Sequence, residues 1–180
     1  MMLHKDVKSV LLSQEKLENI VKSLAKQIEK DYNDKEFIVV GLLKGSVVFM
    51  ADLIKQINLD FSIDFIVASS YGSGTESSGK VKIVSDLTLP VQGKDVLIVE
   101  DIVDSGNTLN FVMNYLMTRG ANDVRVCTLC DKPSRRKVPM TPEYCGTQIP
   151  DEFIVGYGLD YNEKYRNLPY IGILKRSVYE

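Results

Sequence analysis

Cysteine, histidine and long apolar runs are all scarce in this chain of 180 residues. Three cysteines are an odd number, which argues against a disulfide framework and favours a reducing compartment. The only histidine is His4, so a Ser-His or Cys-His catalytic arrangement is excluded. No apolar run approaches the ~20 residues needed to span a bilayer, and the first residues lack the apolar core of a signal peptide. We therefore expect a cytoplasmic protein with no membrane partner.

Net charge is low as well. With 22 Lys and Arg against 24 Asp and Glu, the formal charge is −2, which supplies no overall attraction for nucleic acid. Hydrophobic residues at 44% and charged residues at 26% are ordinary for a globular protein. The length suffices for one well-buried core, and no linker or repeat divides the chain. We expect a single domain over residues 1–180.

Apolar periodicity predicts alternating strands and helices, which favours an α/β fold with a parallel sheet. The predicted strands are 37–43, 61–69, 81–85, 96–100 and 124–130, with short ones near 153–156 and 170–174. The predicted helices are 17–28, 46–57 and 105–119, and the proline-rich stretch 131–152 is expected to be largely irregular. Cys127 and Cys130 lie three apart on a predicted strand and face opposite sides, which favours core residues over a metal pair.

The segment 99–108 carries the most chemistry. The apolar run 96–99 is typical of a buried strand, yet it ends in two adjacent carboxylates, Glu100 and Asp101. Asp104 and a run of small, hydroxyl-bearing residues follow, just where the next helix is predicted to begin. Ligands bind at the carboxyl ends of parallel strands, and a helix N-terminus is a ready anion site. The pattern therefore predicts a sugar phosphate held together with a metal ion.

This segment, 96–109, resembles the phosphoribosyl-pyrophosphate (PRPP) binding motif of the type I phosphoribosyltransferases. Other stretches narrow the resemblance to the hypoxanthine (6-oxopurine) branch of that family, and to its bacterial members most closely. In chain order they are 43–45, 69–75, 131–136, 149–161 and Arg166. The resemblance runs from about residue 37 to 174.

The resemblance implies a type I phosphoribosyltransferase fold, with a central parallel sheet flanked by helices. It implies a small hood from about 131–180 with part of the N-terminus, a mobile flap loop at about 69–80, and a cis peptide bond near Leu43 and Lys44. The implied reaction is the purine-salvage step classed as EC 2.4.2.8. It transfers the 5-phosphoribosyl group of PRPP to hypoxanthine or guanine, giving IMP or GMP and pyrophosphate, and it depends on Mg²⁺. A homodimer or homotetramer is implied as well.

Asp104 corresponds to the family's catalytic residue, the general base near the purine N7. Because small residues follow it, Asp104 would also suit a helix N-cap, and both roles stay open. The family's ribose-binding pair and 5′-phosphate loop match Glu100, Asp101, Asp104, Ser105, Gly106, Asn107 and Thr108.

Further residues match the metal, pyrophosphate and flap positions of the family. The metal ligands match Glu100, Asp101 and Asp160, the last serving a second magnesium ion. The pyrophosphate contacts match Lys44, Gly45 and Arg166. The pair that closes over the reacting centre matches Ser70 and Tyr71.

Purine recognition needs a donor for the 6-oxo group and an apolar wall. Lys132 matches the donor, because an ammonium group only donates and leaves the 6-amino group of adenine unpaired. Phe153 matches the residue that stacks on the ring, and Ile154 offers a backbone carbonyl to its other edge. Asp160 also belongs to this set by resemblance.

Three other functions fit parts of the sequence less well. The stretch 74–80 matches a Walker A loop through its lysine, but Val81 stands where a Ser or Thr is needed and a strand is predicted to follow. A non-catalytic PRPP sensor on the same fold would use the basic cluster 132–137 to touch RNA. A relative acting on adenine, xanthine or a pyrimidine is the remaining alternative, and Lys132 and Phe153 argue for 6-oxopurines.

Overall fold

The computed structural model describes residues 3–70 and 81–180, which form two sheets and four helices. The strands are β1 Val7–Leu12, β2 Phe37–Leu43, β3 Ser62–Ser70, β4 Val81–Ser85, β5 Asp95–Val103, β6 Asp123–Asp131, β7 Tyr144–Gln148, β8 Ile154–Val155 and β9 Ile171–Leu174. The helices are α1 Gln14–Tyr32, α2 Val47–Ile54, α3 Asn107–Thr118 and α4 Arg176–Tyr179, with a short 3₁₀ turn at Pro133–Arg135.

The large sheet has the strand order β4-β3-β2-β5-β6-β7, and its pairs are parallel except for antiparallel β3 and β4. Its central strands are continuous apolar runs, with 37–42 in β2 and 96–99 in β5 buried, as parallel strands covered on both faces require. The carboxyl ends of β2, β3, β5 and β6 therefore meet at one edge. The predicted α/β class with a central, mostly parallel sheet is confirmed.

Helices cover both faces of the large sheet. Because side chains alternate along a strand, Val39 and Leu97 pack in the cluster under α1 and α2, while Val40 and Ile98 pack in the cluster under α3. Burying each of these side chains contributes ~1.5–3 kcal/mol. This packing on both faces fixes the positions of the residues at the carboxyl edge of the sheet.

The periodicity of α1 explains its place. Ser13 caps the helix by accepting a hydrogen bond from the Lys16 amide at 3.3 Å. The apolar residues of this helix, spaced three and four apart, are buried against the large sheet. They are Leu17, Val21, Leu24, Ala25 and Ile28.

The small sheet is antiparallel and joins distant parts of the chain in the order β1-β9-β8. Val7 of β1 packs with Val155, Tyr170 and Leu174 in a separate apolar cluster. The N-terminal strand is thereby tied to the C-terminal region. Among the described residues, no helix combines the length and apolar character needed to cross a membrane.

Four details of the predicted elements were wrong. The stretch 131–152 is not wholly irregular, because β7 adds a parallel edge strand to the large sheet. Strand β1 was not predicted. Helices α2 and α3 are shorter than expected, since turns occupy their ends. Strand β5 runs on to Val103, so the two carboxylates lie within it rather than at its end.

Candidate active site

Glu100 and Asp101 are neighbours on β5 at the carboxyl edge of the sheet, and Asp101 is only 7% exposed. The Asp101 amide donates to Glu100 Oε1 at 3.2 Å, and the Ile102 amide donates to Asp101 Oδ1 at 2.8 Å. Burial, and then the adjacent Asp101 carboxylate, raise the pKa of Glu100 well above its ordinary value. Burial also raises the pKa of Asp101, although hydrogen bonds and Arg166 offset part of that effect. Such a pair is stabilised by a cation.

The turn after β2 closes against this pair. A Cβ on Gly45 would lie 1.8 Å from Asp101 Oδ2, so only glycine allows the turn to approach the carboxylate. The peptide bond between Leu43 and Lys44 is cis, as predicted. Gly45, which was predicted to contact pyrophosphate, therefore lies against Asp101, which was predicted to bind the metal ion.

A loop turns from β5 into α3 beside the pair. Gly106 stands at the N-cap with a φ of 81°, a left-handed conformation that suits glycine, and Asn107 is the first helical residue. The Asn107 amide donates to Ser105 Oγ at 3.4 Å. The predicted N-cap role of Asp104 was wrong, because the helix is capped two residues later, at Gly106.

This loop borders a cavity of about 220 Å³. Four of the five predicted loop residues line it, whereas Asn107 instead starts the helix. Glu100 and Gly45 line the same cavity. Because the first residues of α3 line this space, the cavity suits a phosphate group.

A second cavity of about 570 Å³ lies on the other side of Asp104. All four residues of the predicted purine set line it, namely Lys132, Phe153, Ile154 and Asp160. Asp101 also lines it, and both Ile102 and Asp104 line both cavities. The exposed residue Asp104 therefore borders both a phosphate-sized space and a larger, partly aromatic one.

Lys132 follows β6 and is only 6% exposed. Its Nζ donates to the Glu152 carbonyl at 2.9 Å and lies 3.8 Å from Asp151 Oδ1. Its amide donates to the Val103 carbonyl at 2.9 Å, which fixes it against the end of β5. An ammonium group has three donors, so a fixed Lys132 can still donate to a ligand in the cavity.

Phe153 is 37% exposed at the wall of the second cavity. Its ring stacks on Tyr179 of α4 at a centroid distance of 4.9 Å and meets Tyr161 edge-on at 5.4 Å. An aromatic ring that is buttressed on one side and open on another suits stacking with a planar ligand.

The C-terminal segment was missed as part of this site. Arg176, Tyr179 and Glu180 line the second cavity, together with Arg135 and Asp151. No motif marks α4 in the sequence, because its residues reach the cavity only through the pairing of β8 with β9. Only tertiary structure reveals them.

The predicted pyrophosphate cations lie in an ion-pair network around Glu163. Lys44 Nζ is 3.2 Å from Glu163 Oε1, and Arg166 Nη2 is 3.3 Å from Glu163 Oε2. Arg166 also pairs with Asp160 Oδ1 at 2.9 Å and donates to the Gly158 carbonyl at 2.7 Å. Hydrogen bonds from Lys44 and Arg166 lower the pKa of Glu163. Glu163, missed by the sequence prediction, thus gathers residues that are distant in the chain.

The three predicted metal carboxylates are not brought into one group. Among residues 3–70 and 81–180, no cluster of three or more His, Cys, Asp and Glu side chains is arranged to hold a metal ion. Asp160 instead faces Arg166 and accepts the Glu163 amide at 2.8 Å. The Glu100–Asp101 pair by itself fits Mg²⁺, which commonly takes one or two carboxylates and completes its shell with substrate oxygens and water.

Two further predictions concern the flap and the cysteines. Ser70 is the last residue of β3, while Tyr71 and the remainder of the predicted flap lie outside the described residues. Cys127 and Cys130 are buried in β6 with free thiols, and burial raises the pKa of both. They are core residues, as predicted.

The fold and this pair of cavities are those of a phosphoribosyltransferase. A phosphoribosyl transferase domain family matches residues 9–162, and the chain belongs to that family. Strand β4 begins at Val81, where a Walker A loop would need a helix, which removes the ATPase alternative.

Relatives place the chain more narrowly among 6-oxopurine enzymes. It is 54% identical to a hypoxanthine-guanine phosphoribosyltransferase of Staphylococcus epidermidis over 177 residues, covering 98% of this chain and 99% of the relative. The crystal structure of a hypoxanthine phosphoribosyltransferase from Staphylococcus aureus matches with a TM-score of 0.95 and 53% identity, covering 98% of this chain and 96% of that one. A hypoxanthine-guanine phosphoribosyltransferase structure from Bacillus anthracis has a TM-score of 0.87 and 50% identity, covering 94% and 98% of the two chains.

Proposed function

We propose that the chain transfers the 5-phosphoribosyl group of PRPP to hypoxanthine and guanine, giving IMP or GMP and pyrophosphate. The observation that carries this proposal is the position of Asp104 between the two cavities. The smaller cavity lies at the start of α3 and suits the 5′-phosphate. The larger cavity is lined by Lys132 and Phe153 and suits a purine. The identity with the staphylococcal hypoxanthine-guanine enzyme supports the same substrates.

The 5′-phosphate is proposed to lie in the smaller cavity. Amide groups of the loop 105–108 and the positive end of α3 would bind its oxygens. Glu100, which lines the same cavity, would accept hydrogen bonds from the ribose hydroxyls together with Asp101. This fixes the ribose so that C1 faces the larger cavity.

Magnesium is proposed to enter with PRPP and to be held by Glu100 and Asp101. When bound, the ion neutralises charge that develops on the leaving pyrophosphate. Lys44, Arg166 and the Gly45 amide would contact the pyrophosphate oxygens, and Asp160 would serve a second ion after exchanging its Arg166 partner. Glu163 keeps both cations near this position before substrate arrives.

The purine is proposed to stack on Phe153 with its 6-oxo group on Lys132 Nζ. The Glu152 carbonyl and Asp151 hold that ammonium group in place, so the group meets a fixed oxygen position. The Ile154 carbonyl would accept from the opposite edge of the ring. Adenine presents a donor to Lys132 and leaves the ammonium unpaired, which disfavours it.

Asp104 is proposed to take the proton from the purine N7 while N9 attacks C1 of the ribose and pyrophosphate leaves. Asp104 is exposed and borders both substrate spaces, which supports its role as the general base. Ser70 and Tyr71 are proposed to close over the reacting centre and exclude water.

The remaining features of the proposal concern organisation. We propose a hood formed by about 131–180 with part of the N-terminus, of which the small sheet is the core. A homodimer or homotetramer is supported by the exposed apolar side chains Ile63 and Phe65 on β3 and Val84 on the edge strand β4 of the large sheet. Three free thiols support a reducing, cytoplasmic location. Light scattering after gel filtration gives the subunit number.

The test is pyrophosphate release from PRPP and Mg²⁺ with hypoxanthine, guanine, xanthine or adenine offered separately. Release with hypoxanthine and guanine, and none with adenine, is the expected result. Release with adenine alone would move the assignment to another branch of the family. Tight PRPP binding without release for any base would instead indicate a PRPP-sensing regulator.

A further inference from the structure

The guanidinium group of Arg136 joins Asp131, at the end of β6, to residues 104–108, which are called the phosphate loop below. Arg136 Nη1 donates to the Asp104 carbonyl at 2.6 Å, and Nη2 forms a hydrogen-bonded ion pair with Asp131 Oδ1. The Arg136 side chain is 14% exposed and that of Asp131 is 8% exposed. The Arg136–Asp131 ion pair is therefore largely shielded from water, where charge-assisted hydrogen bonds are strongest.

Neighbouring contacts come from the same segment. The Lys137 amide donates to the Ser105 carbonyl at 2.9 Å. A Cβ on Gly106 would lie 3.2 Å from Arg136 Cδ, so the stem of the arginine packs directly on the turn. Arg136 thus reaches loop residues 104 and 106, and Lys137 holds the residue between them.

We propose that Arg136 is the positioning residue of the active site, an inference that rests on the proposed function. It fixes the Asp104 backbone relative to Asp131, and Asp131 directly precedes the purine-binding Lys132. A single side chain thereby sets the spacing between the phosphate loop and the purine cavity. Arg136 acts through these neighbours and touches neither substrate.

A planar fork is needed for this role, because two acceptors are held at once. Lysine carries the charge but offers no fixed fork. Arg136→Lys should therefore retain the ion pair with Asp131 and lose the fixed spacing to the Asp104 carbonyl.

The experiment measures kcat and the KM for PRPP and for hypoxanthine in Arg136→Ala and Arg136→Lys, alongside the melting temperature. Loss of a charge-assisted pair predicts a fall of about tenfold or more in kcat/KM for both substrates. Added guanidinium ion should restore part of the activity of Arg136→Ala, and methylammonium should restore less. Arg136→Lys should lie between wild type and Arg136→Ala.

Arg125→Ala is the matched control. Arg125 lies at the amino end of β6, is partly buried and pairs with Asp123 and Asp31 away from both cavities. Its loss should lower the melting temperature and leave both KM values unchanged. Folded Arg136 variants with kinetics within twofold of wild type would overturn the proposal. So would a loss that guanidinium does not rescue and that Arg125→Ala reproduces.

The wild-type assay separates this inference from the proposed function. If wild type releases no pyrophosphate, the proposed function fails, and calorimetric PRPP binding becomes the readout for Arg136. Weaker PRPP binding by Arg136→Ala would then uphold the positioning role, and equal binding would overturn it.

Discussion

Asp64 in β3 and Asp101 in β5 are both 7% exposed, but their surroundings differ. Asp64 accepts from the amides of Phe65, Thr88 and Leu89 at 2.7–2.8 Å and from the Thr88 hydroxyl at 3.1 Å. Burial raises the pKa of Asp64, but these hydrogen bonds outweigh it and hold the pKa below its ordinary value. Asp64 is a satisfied carboxylate that pins the loop before β5 to β3.

Asp101 and its neighbour Glu100 show the opposite balance. Burial raises the pKa of both, and repulsion from Asp101 raises the pKa of Glu100 further, so the fold itself disfavours their charges. Hydrogen bonds within the fold stabilise the charge of Asp64, whereas Glu100 and Asp101 need a cation to stabilise theirs. The comparison favours a structural role for Asp64 and supports the proposal that Glu100 and Asp101 serve the reaction.

The largest effect should follow from neutralising the pair. Glu100→Gln combined with Asp101→Asn removes the carboxylates proposed to hold magnesium and ribose. Because metal ions supply several kcal/mol of transition-state stabilisation, kcat/KM should fall by about 10³-fold or more. Steady-state pyrophosphate release measures this, and activity within tenfold of wild type would remove the pair from the site.

Asp104→Asn should have the next largest effect on turnover. General-base help is typically worth about 100-fold or more, so kcat should fall by that amount while PRPP still binds. Calorimetry with PRPP and Mg²⁺ serves as the control for binding. Unchanged turnover would reduce Asp104 to a structural residue of the loop.

Lys132→Gln should change base preference more than rate. A glutamine both donates and accepts, so adenine finds a partner that lysine denies it. The ratio of kcat/KM for hypoxanthine over adenine should fall by about tenfold or more. Competition assays with the two bases measure the ratio, and an unaltered ratio would exclude Lys132 from recognition.

The smallest effect on catalysis should come from Asp64→Asn. Loss of a multiply bonded carboxylate should lower the free energy of unfolding by about 1–3 kcal/mol, with kcat within twofold of wild type. The folded-state pKa lies below the ordinary value of 3.8. The stabilisation is therefore complete above that value and is lost as the pH falls through the folded-state pKa.

Urea unfolding at several pH values checks this prediction. The difference between wild type and Asp64→Asn should shrink toward acid pH. A variant that keeps wild-type stability but loses activity would break the contrast between Asp64 and the Glu100–Asp101 pair.

The sequence predicted the local features of the site better than the long-range ones. Strand β5 and the loop that leads into α3 follow from patterns within a few residues, although β5 runs further and α3 begins later than predicted. The sequence pattern did not predict strands β1 and β7, which depend on distant pairing partners. Strand β1 pairs with β9 near the other end of the chain, and β7 pairs with β6 across the proline-rich stretch.

Contacts between residues that are distant in the chain could likewise not be predicted from the sequence. Arg136 looked like part of a solvated basic cluster, yet it is 14% exposed and bonded to the phosphate loop. Tyr179 reaches Phe153 only because β8 and β9 pair. Asp160, predicted to serve a second magnesium ion, forms an ion pair with Arg166 that no sequence pattern indicated. Side-chain competition of this kind depends on tertiary geometry.

The most direct test of the account is the thermal shift produced by PRPP with Mg²⁺. A ligand that binds the folded state raises the melting temperature according to its affinity. Wild type and Asp64→Asn should both shift upward, and Glu100→Gln with Asp101→Asn should not shift. An equal shift in the double variant would show that the buried pair in β5 does not hold the substrate and its metal.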